Sequence, residues 1–343
     1  MQRAVAKPLT DAITRTARAQ SKAVAKAAGK AARSVLTGVA SPTPAPVSRG
    51  TGAWHEGVFA FGLMQRHYRL FVPDGVTKRR PAPLLVLLHG CGQDAASFAA
   101  SARVAAVARS AGCVVLMPEQ SMQANAQRCW NWFLPGGRGA AEAELLTLMV
   151  DHVCGRVAIR QDQVCTLGLS AGGPMALMLG LRYPRRFAAV GSHSGALPGS
   201  AANAAQAARA MRGHLGQPAV EAGTLRLALA GHRPPPLLLL HGDADHIVHI
   251  DNATACAALW LDLQPDAESV RAKPMRPRTV QRGTRRAMEI SDWMVDGEPW
   301  VRLVRIAGLG HAWSGGAAGQ AFSDPSGPDA LRIALAFFGI RPR

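Results

Sequence analysis

Gly168-Leu169-Ser170-Ala171-Gly172 sets a serine hydroxyl between two glycines. An apolar segment, Val164-Cys165-Thr166-Leu167, precedes it and a helix-like segment, Pro174 to Leu181, comes after. A serine on a strand-to-helix elbow is held at strained dihedrals with its hydroxyl standing above the sheet. Glycines flank it because side chains there would meet neighbouring backbone. A Ser/Gly-rich turn is the competing reading of the pentapeptide alone. Two residues further along the chain decide between them: Asp245 comes after a later apolar run and His311 after the last one. Nucleophile, acid, histidine is a known chain order for an acyl-transfer triad. A serine hydroxyl is a poor nucleophile at neutral pH. His311 is therefore expected to take its proton and return it to the leaving alcohol, while Asp245 fixes the tautomer and stabilises the imidazolium. Asp243 is the nearest rival acid. Asp245 is preferred because it sits further into the loop and is followed by Ile247-Val248, which could anchor that loop. His241, His246 and His249 read as loop residues beside the site. His193 precedes the acid loop and is a weaker rival for the base.

Acyl transfer also needs two N–H donors aimed at the developing oxyanion. Ala171, directly after the serine, supplies one. The second is expected from the loop after Leu84–Leu88, His89-Gly90-Cys91-Gly92, with the Cys91 backbone N–H as the candidate. The Cys91 thiol is not read as a nucleophile, because no helix-start elbow follows it. No phosphate loop, dinucleotide fingerprint, Cys-x-x-Cys pair or zinc-like spacing is present, so neither a cofactor nor a metal is expected.

The elements that must position these residues alternate. Strands are predicted at Arg66–Val72, Leu84–Leu88, Cys113–Met117, Val164–Leu169, Phe187–Val190, Leu237–Leu240 and Trp300–Ile306. Helices are predicted at Ala95–Ala111, Ala140–Cys154 and Ala330–Phe338. Continuous apolar strands alternating with helices imply an α/β fold: a mostly parallel central sheet covered by helices on both faces. In such sheets chemistry lies at the carboxyl ends of the strands. Four of these strands end in polar, Gly-rich loops.

The net charge of +17 is concentrated. Residues 1–50 hold nine Lys/Arg and one Asp, and residues 271–286 hold seven basic residues and no acid, which leaves the rest close to neutral. Two units are expected: a basic Ala/Pro-rich tail and linker over 1–53, and a catalytic domain over 54–343 interrupted by the basic stretch 271–286. The tail is read as solvated, with docking of residues 1–40 to an anionic or granule surface as the alternative. No run approaches a membrane span. The tail also lacks the apolar stretch of a secretory signal, which makes the cytoplasm the default compartment. Cys113 and Cys165 lie in apolar runs and read as core, whereas Cys91 and Cys129 lie in loops and are disulfide candidates.

These segments together resemble the polyhydroxybutyrate-depolymerase-type esterases, grouped with feruloyl and acetylxylan esterases in one branch of the α/β-hydrolase fold. The resemblance covers about residues 55–340. It rests on Leu88-His89-Gly90-Cys91-Gly92-Gln93, Met117-Pro118-Glu119-Gln120, Cys129-Trp130-Asn131-Trp132-Phe133, the serine elbow, Ser194-Gly195, His241-Gly242-Asp243-Ala244-Asp245 and Gly310-His311-Ala312-Trp313. It implies Ser170, Asp245 and His311 as triad, the Cys91 N–H as oxyanion donor, and a Cys91–Cys129 link. Secreted relatives and a disulfide both point to an extracellular setting, against the default above. The implied substrate is a short-chain 3-hydroxyalkanoate polyester or its oligomers, with feruloyl or acetylxylan esters as the alternative. A binding role for the tail on a polyester granule or polyanion is a reading of another class. Trp130, Trp132, Phe133 and Trp313, with Ser194, are candidates for the substrate surface, and core packing competes for at least half of the aromatics. No specific nucleic-acid partner is expected.

Overall fold

The computed structural model describes residues 52–133, 138–215, 225–226, 229, 231–264 and 272–341. The tail over 1–51 lies outside them, as does any surface-docking role for residues 1–40. Strand β1 begins at Gly52, two residues ahead of the expected boundary.

Leu84, Val86 and Leu88 of β3 (Ala82–Leu88) point to one side of the sheet, and Leu85 and Leu87 to the other. All five are fully buried, because a side-chain period of two sends neighbours to opposite faces and both faces are covered. On the first side lie α3 (Arg138–Cys154), α4 (Gly172–Arg182) and α6 (Asp251–Asp262). On the second lie α1 (Ala95–Ser101), α2 (Val104–Ala111) and α7 (Ala330–Phe337). The central strands β4 (Val114–Pro118), β3, β5 (Ile159–Leu169), β6 (Ala189–His193), β7 (Leu237–Gly242) and β11 (Glu298–Ile306) run parallel in that order. Antiparallel strands close both margins: β1 (Gly52–Phe61) and β2 (Met64–Pro73) at one, β10 (Met288–Val295) with β8 (Lys273–Pro274) and β9 (Arg278–Val280) at the other. This is the mostly parallel, doubly covered sheet expected from the alternation, in the α/β-hydrolase arrangement that the resemblance implies. Among the described residues no helix is long and apolar enough to cross a membrane.

Three differences from the sequence reading have physical causes. The helix predicted over Ala95–Ala111 is two helices, broken where Arg103 adopts a left-handed conformation (φ 55°). That turn carries the Arg103 guanidinium to Asp329, the residue that caps α7, at 2.5 Å. Strand β5 starts five residues early, because Arg160, Gln161 and Asp162 are exposed and give no apolar signal. The described part of the basic stretch, 272–286, is tied to the sheet margin. Arg278 and Arg302 both bind the buried carboxylate of Asp292, at 2.8 Å and 2.6 Å, and hold its pKa below the usual carboxylate range in spite of burial. Arg286 binds Asp324 at 2.7 Å.

Candidate active site

The elbow is built by close backbone approaches. Ser170 has φ 53°, a left-handed conformation that costs a non-glycine residue about 1–3 kcal/mol. It is held there by two hydrogen bonds at 2.9 Å: the Ser170 N–H donates to His193 O, and the Gly173 N–H donates to Ser170 O. A Cβ on Gly168 would lie 2.0 Å from Gly172 O, and one on Gly172 would lie 2.4 Å from Leu88 O. Both positions therefore exclude side chains, and the helix starts tight against the ends of β3 and β5.

The sheet brings together residues far apart in sequence. His311 Nε2 is 2.9 Å from Ser170 Oγ, and His311 Nδ1 is 2.7 Å from Asp245 Oδ2. Asp245 Oδ1 accepts the N–H groups of Ile247 and Val248, each at 2.9 Å, so the dipeptide expected to anchor this loop binds the carboxylate itself. Burial opposes the charge on Asp245, but His311, His241 and the Val248 amide outweigh it and hold the carboxyl below the ordinary range. Asp243 instead accepts the Gly308 N–H at 2.7 Å, bracing the turn that leads to His311. His241 is buried, with Nε2 2.8 Å from Val248 O and 3.6 Å from Asp245, and burial lowers its pKa against the opposing pull of Asp245. His193 lies beneath the site, stacked on Trp313 at 5.0 Å, and burial pushes its pKa down to about 3. His249 is exposed and pairs with Asp251 at 3.1 Å.

The loop after β3 is equally fixed. The Gln93 side chain accepts the Gly90 N–H at 2.9 Å. His89 Nδ1 lies 2.8 Å from Gly90 O, and its Nε2 accepts the Gln120 N–H at 3.0 Å. Burial drives the His89 pKa down to about 4. Gly92 donates to Gln127 O, while the N–H groups of Cys91 and Ala171 meet no protein acceptor among the described residues. Cys91 is disulfide-bonded to Cys129. The Cys129 loop is gripped by one buried carboxylate. Glu142 Oε1 accepts from Arg66 at 3.0 Å, Gln120 at 2.7 Å and Asn131 Nδ2 at 2.8 Å, and Oε2 accepts the Asn131 N–H at 2.9 Å.

Two small depressions of about 40 Å³ each adjoin Ser170. Leu169, Ile247, His311 and Phe322 line one, and Trp132, Phe133, Ala196 and Val248 line the other, with Cys91 and Met211 shared. The structure takes Trp130, Trp313 and Ser194 out of the expected substrate surface, since all three are buried. Trp130 donates its Nε1–H to His89 O at 3.0 Å, Trp313 packs between His193 and Phe98, and Ser194 is buried with its N–H donating to Leu240 O at 2.9 Å. Trp132 alone of the three tryptophans borders the open space. Two residues at the site, Met211 and Phe322, escape the sequence reading. Met211 ends α5 (Ala204–Met211), an Ala-rich helix set ten residues beyond β6 and carrying no motif of its own. Phe322 does carry a signal, as a lone aromatic in a Gly/Ala-rich loop. Among the described residues no group of three or more His, Cys, Asp or Glu side chains is placed to hold a metal ion.

A family model described as Esterase PHB depolymerase matches residues 66–279. The chain belongs to this family. Poly(3-hydroxyalkanoate) depolymerase C of Paucimonas lemoignei is 29% identical over 264 residues, which span 73% of this chain and 60% of the depolymerase. Feruloyl esterase B of Neurospora crassa is 28% identical over 201 residues, covering 55% of this chain and 67% of that enzyme. Among solved structures, an acetyl xylan esterase from Aspergillus awamori superposes with a TM-score of 0.63 at 16% identity, covering 84% of this chain and all of that one. That likeness shows a shared fold.

Proposed function

We propose that this protein is a serine hydrolase of carboxylic esters in which Ser170 is the nucleophile, His311 the base and Asp245 the acid. The observation that carries this reading is the continuous hydrogen-bonded line from Ser170 Oγ through His311 to Asp245, anchored on a left-handed elbow. Ser170 Oγ attacks the ester carbonyl as its proton passes to His311 Nε2. Asp245 accepts a hydrogen bond from the Nδ1–H and stabilises the imidazolium without taking the proton. The carbonyl oxygen gains negative charge, which the N–H groups of Cys91 and Ala171 stabilise. His311 then returns the proton to the departing alcohol, leaving an acyl group on Ser170. A water activated by His311 releases the acid and restores the serine.

The depressions flanking Ser170 hold about three water-sized spheres each, about the bulk of a short acyl group. Their apolar linings and the family's character support short-chain 3-hydroxyalkanoate oligomers as substrates. Trp132 and Phe133, edge to face at 5.5 Å, favour an aromatic acid as the second reading. The basic segment 1–40 is read as a solvated tail, with docking to an anionic or granule surface as the alternative. Under docking, deleting residues 1–50 is expected to abolish granule binding while leaving hydrolysis of a soluble ester unchanged.

A fluorophosphonate probe followed by peptide mapping tests the nucleophile. Modification is expected on Ser170 and is expected to vanish in Ser170→Ala, whose hydrolysis falls by several orders of magnitude. Near-normal turnover by Ser170→Ala refutes the mechanism. A panel of 3-hydroxybutyrate oligomers, methyl ferulate and acetylated xylan tests the substrate, and turnover of the latter two alone removes the polyester reading.

A further inference from the structure

Five arginines converge on a cavity of about 400 Å³ that shares no residue with the two depressions beside Ser170. Arg103 comes from the α1–α2 junction, Arg282, Arg285 and Arg286 from the basic stretch between β9 and β10, and Arg332 from α7. The fold therefore gathers like charges from three separate segments. One acid, Asp329, lines the cavity, and it is shared by Arg103 at 2.5 Å and Arg332 at 3.4 Å. Asp324, outside the lining, holds Arg286, and Arg285 donates to the Gly327 carbonyl at 2.6 Å. Among the described residues Arg282 has no ion-pair partner and is exposed. Two carboxylates thus face five guanidinium groups. Arg103 reaches its place through a left-handed backbone turn. Such backbone strain persists where surrounding contacts over-determine it, and it recurs at ligand sites.

We propose that this cavity binds an anion carrying several linked phosphate groups. Guanidinium groups present planar N–H forks that match phosphate oxygens, and an excess of about three positive charges spread around one cavity suits a polyvalent anion better than a single carboxylate. The side wall of Met288 and Ile333 is apolar. Inorganic polyphosphate and a nucleoside triphosphate share the phosphate chain, and only the nucleoside would use that wall. The basic stretch thereby gains a function: its charge serves a formed site rather than a featureless surface.

The test is calorimetric titration of the full-length protein with tripolyphosphate, ATP and orthophosphate at about 0.15 M salt. Arg282→Glu/Arg332→Glu removes two exposed cavity cations. Arg156→Glu/Arg160→Glu makes the same charge change at the opposite ends of the strands. Tripolyphosphate is expected to bind the wild type more tightly than orthophosphate. Its affinity should fall at least about tenfold in the cavity variant and less than about threefold in the control. Unchanged hydrolysis of a soluble ester in both variants establishes that they fold. Tighter binding of ATP than of tripolyphosphate assigns the apolar wall to a nucleoside, and equal binding assigns the site to the phosphate chain alone. No measurable tripolyphosphate binding, or equal weakening in the two variants, overturns the proposal. So does preference for a short DNA duplex that both variants lose alike, because that locates binding on an extended basic face.

Discussion

Lowering the pH from 7 to 5 should weaken this fold through two buried histidines. Burial lowers the pKa of His89 to about 4 and that of His193 to about 3, from 6.5 in a solvated chain. Both side chains are therefore neutral in the native state throughout this range, while their unfolded counterparts take up protons below pH 6.5. The native state's advantage is complete above that value. It is lost as the pH falls through 6.5, and the loss levels off only below the folded pKa values. Between pH 7 and pH 5 each histidine accounts for a loss of about 2 kcal/mol, so the pair removes about 4 kcal/mol from a margin that is typically about 5–15 kcal/mol. His241, lowered by the same burial, acts in the same direction. Around His193, the charges of His241 and His311 add to the effect of burial and Asp245 opposes it. The measurement is urea unfolding followed by tryptophan fluorescence at both pH values with the disulfide intact. His193→Gln keeps an acceptor for the Ser314 N–H, which now donates to His193 Nε2 at 3.2 Å, and removes the titration. The variant should be weaker at pH 7, yet its loss between pH 7 and pH 5 should be smaller than that of the wild type by about 2 kcal/mol. An identical loss in the two proteins refutes the reasoning.

Other perturbations separate the parts of the site. Asp245→Asn should lower kcat by about 10⁴ by disturbing the His311 tautomer, whereas Asp243→Asn should act mainly on stability; steady-state hydrolysis and thermal melts of both variants distinguish these effects. Gly168→Ala drives a Cβ into the Gly172 carbonyl, so it should destabilise the chain by about 3 kcal/mol or more or fail to accumulate in folded form, as read by soluble yield and melting. Opening the Cys91–Cys129 bridge, which spans 38 positions, should cost about 4 kcal/mol on chain entropy alone. Mild reductant should therefore lower the melting temperature, and kcat should fall with it if Cys91 supplies the proposed oxyanion donor.

Ser170, His311 and Asp245 are legible because each sits just past an apolar strand, and a strand buried on both faces leaves an unbroken signal. The margins are not. Strand β1 has no fully buried residue, and His55, Glu56 and Gly57 interrupt its apolar positions, although it pairs with β2 through ten registered positions. The aromatic residues mislead for a related reason. Trp130 and Trp132 are two positions apart in one loop, but only the packing on His89 decides that the first is sealed and the second borders Ser170. Glu142 is invisible for want of contrast. It stands beside Glu144 in an Ala-rich helix, and nothing in the sequence tells the buried carboxylate that holds two loops from its neighbour in solvent.

The 141 positions between Ser170 and His311, and the 66 between Asp245 and His311, make the reactive centre a property of the completed chain. His311 joins only after β7 and β11 have paired, and such long-range closures are intrinsically slow to form. A chain still being synthesised, with β11 and His311 unmade, carries Ser170 without its imidazole partner and is expected to be inactive. During refolding, regain of ester cleavage should therefore trail the return of helical signal. The proposed ester cleavage would then report when this long-range closure is complete.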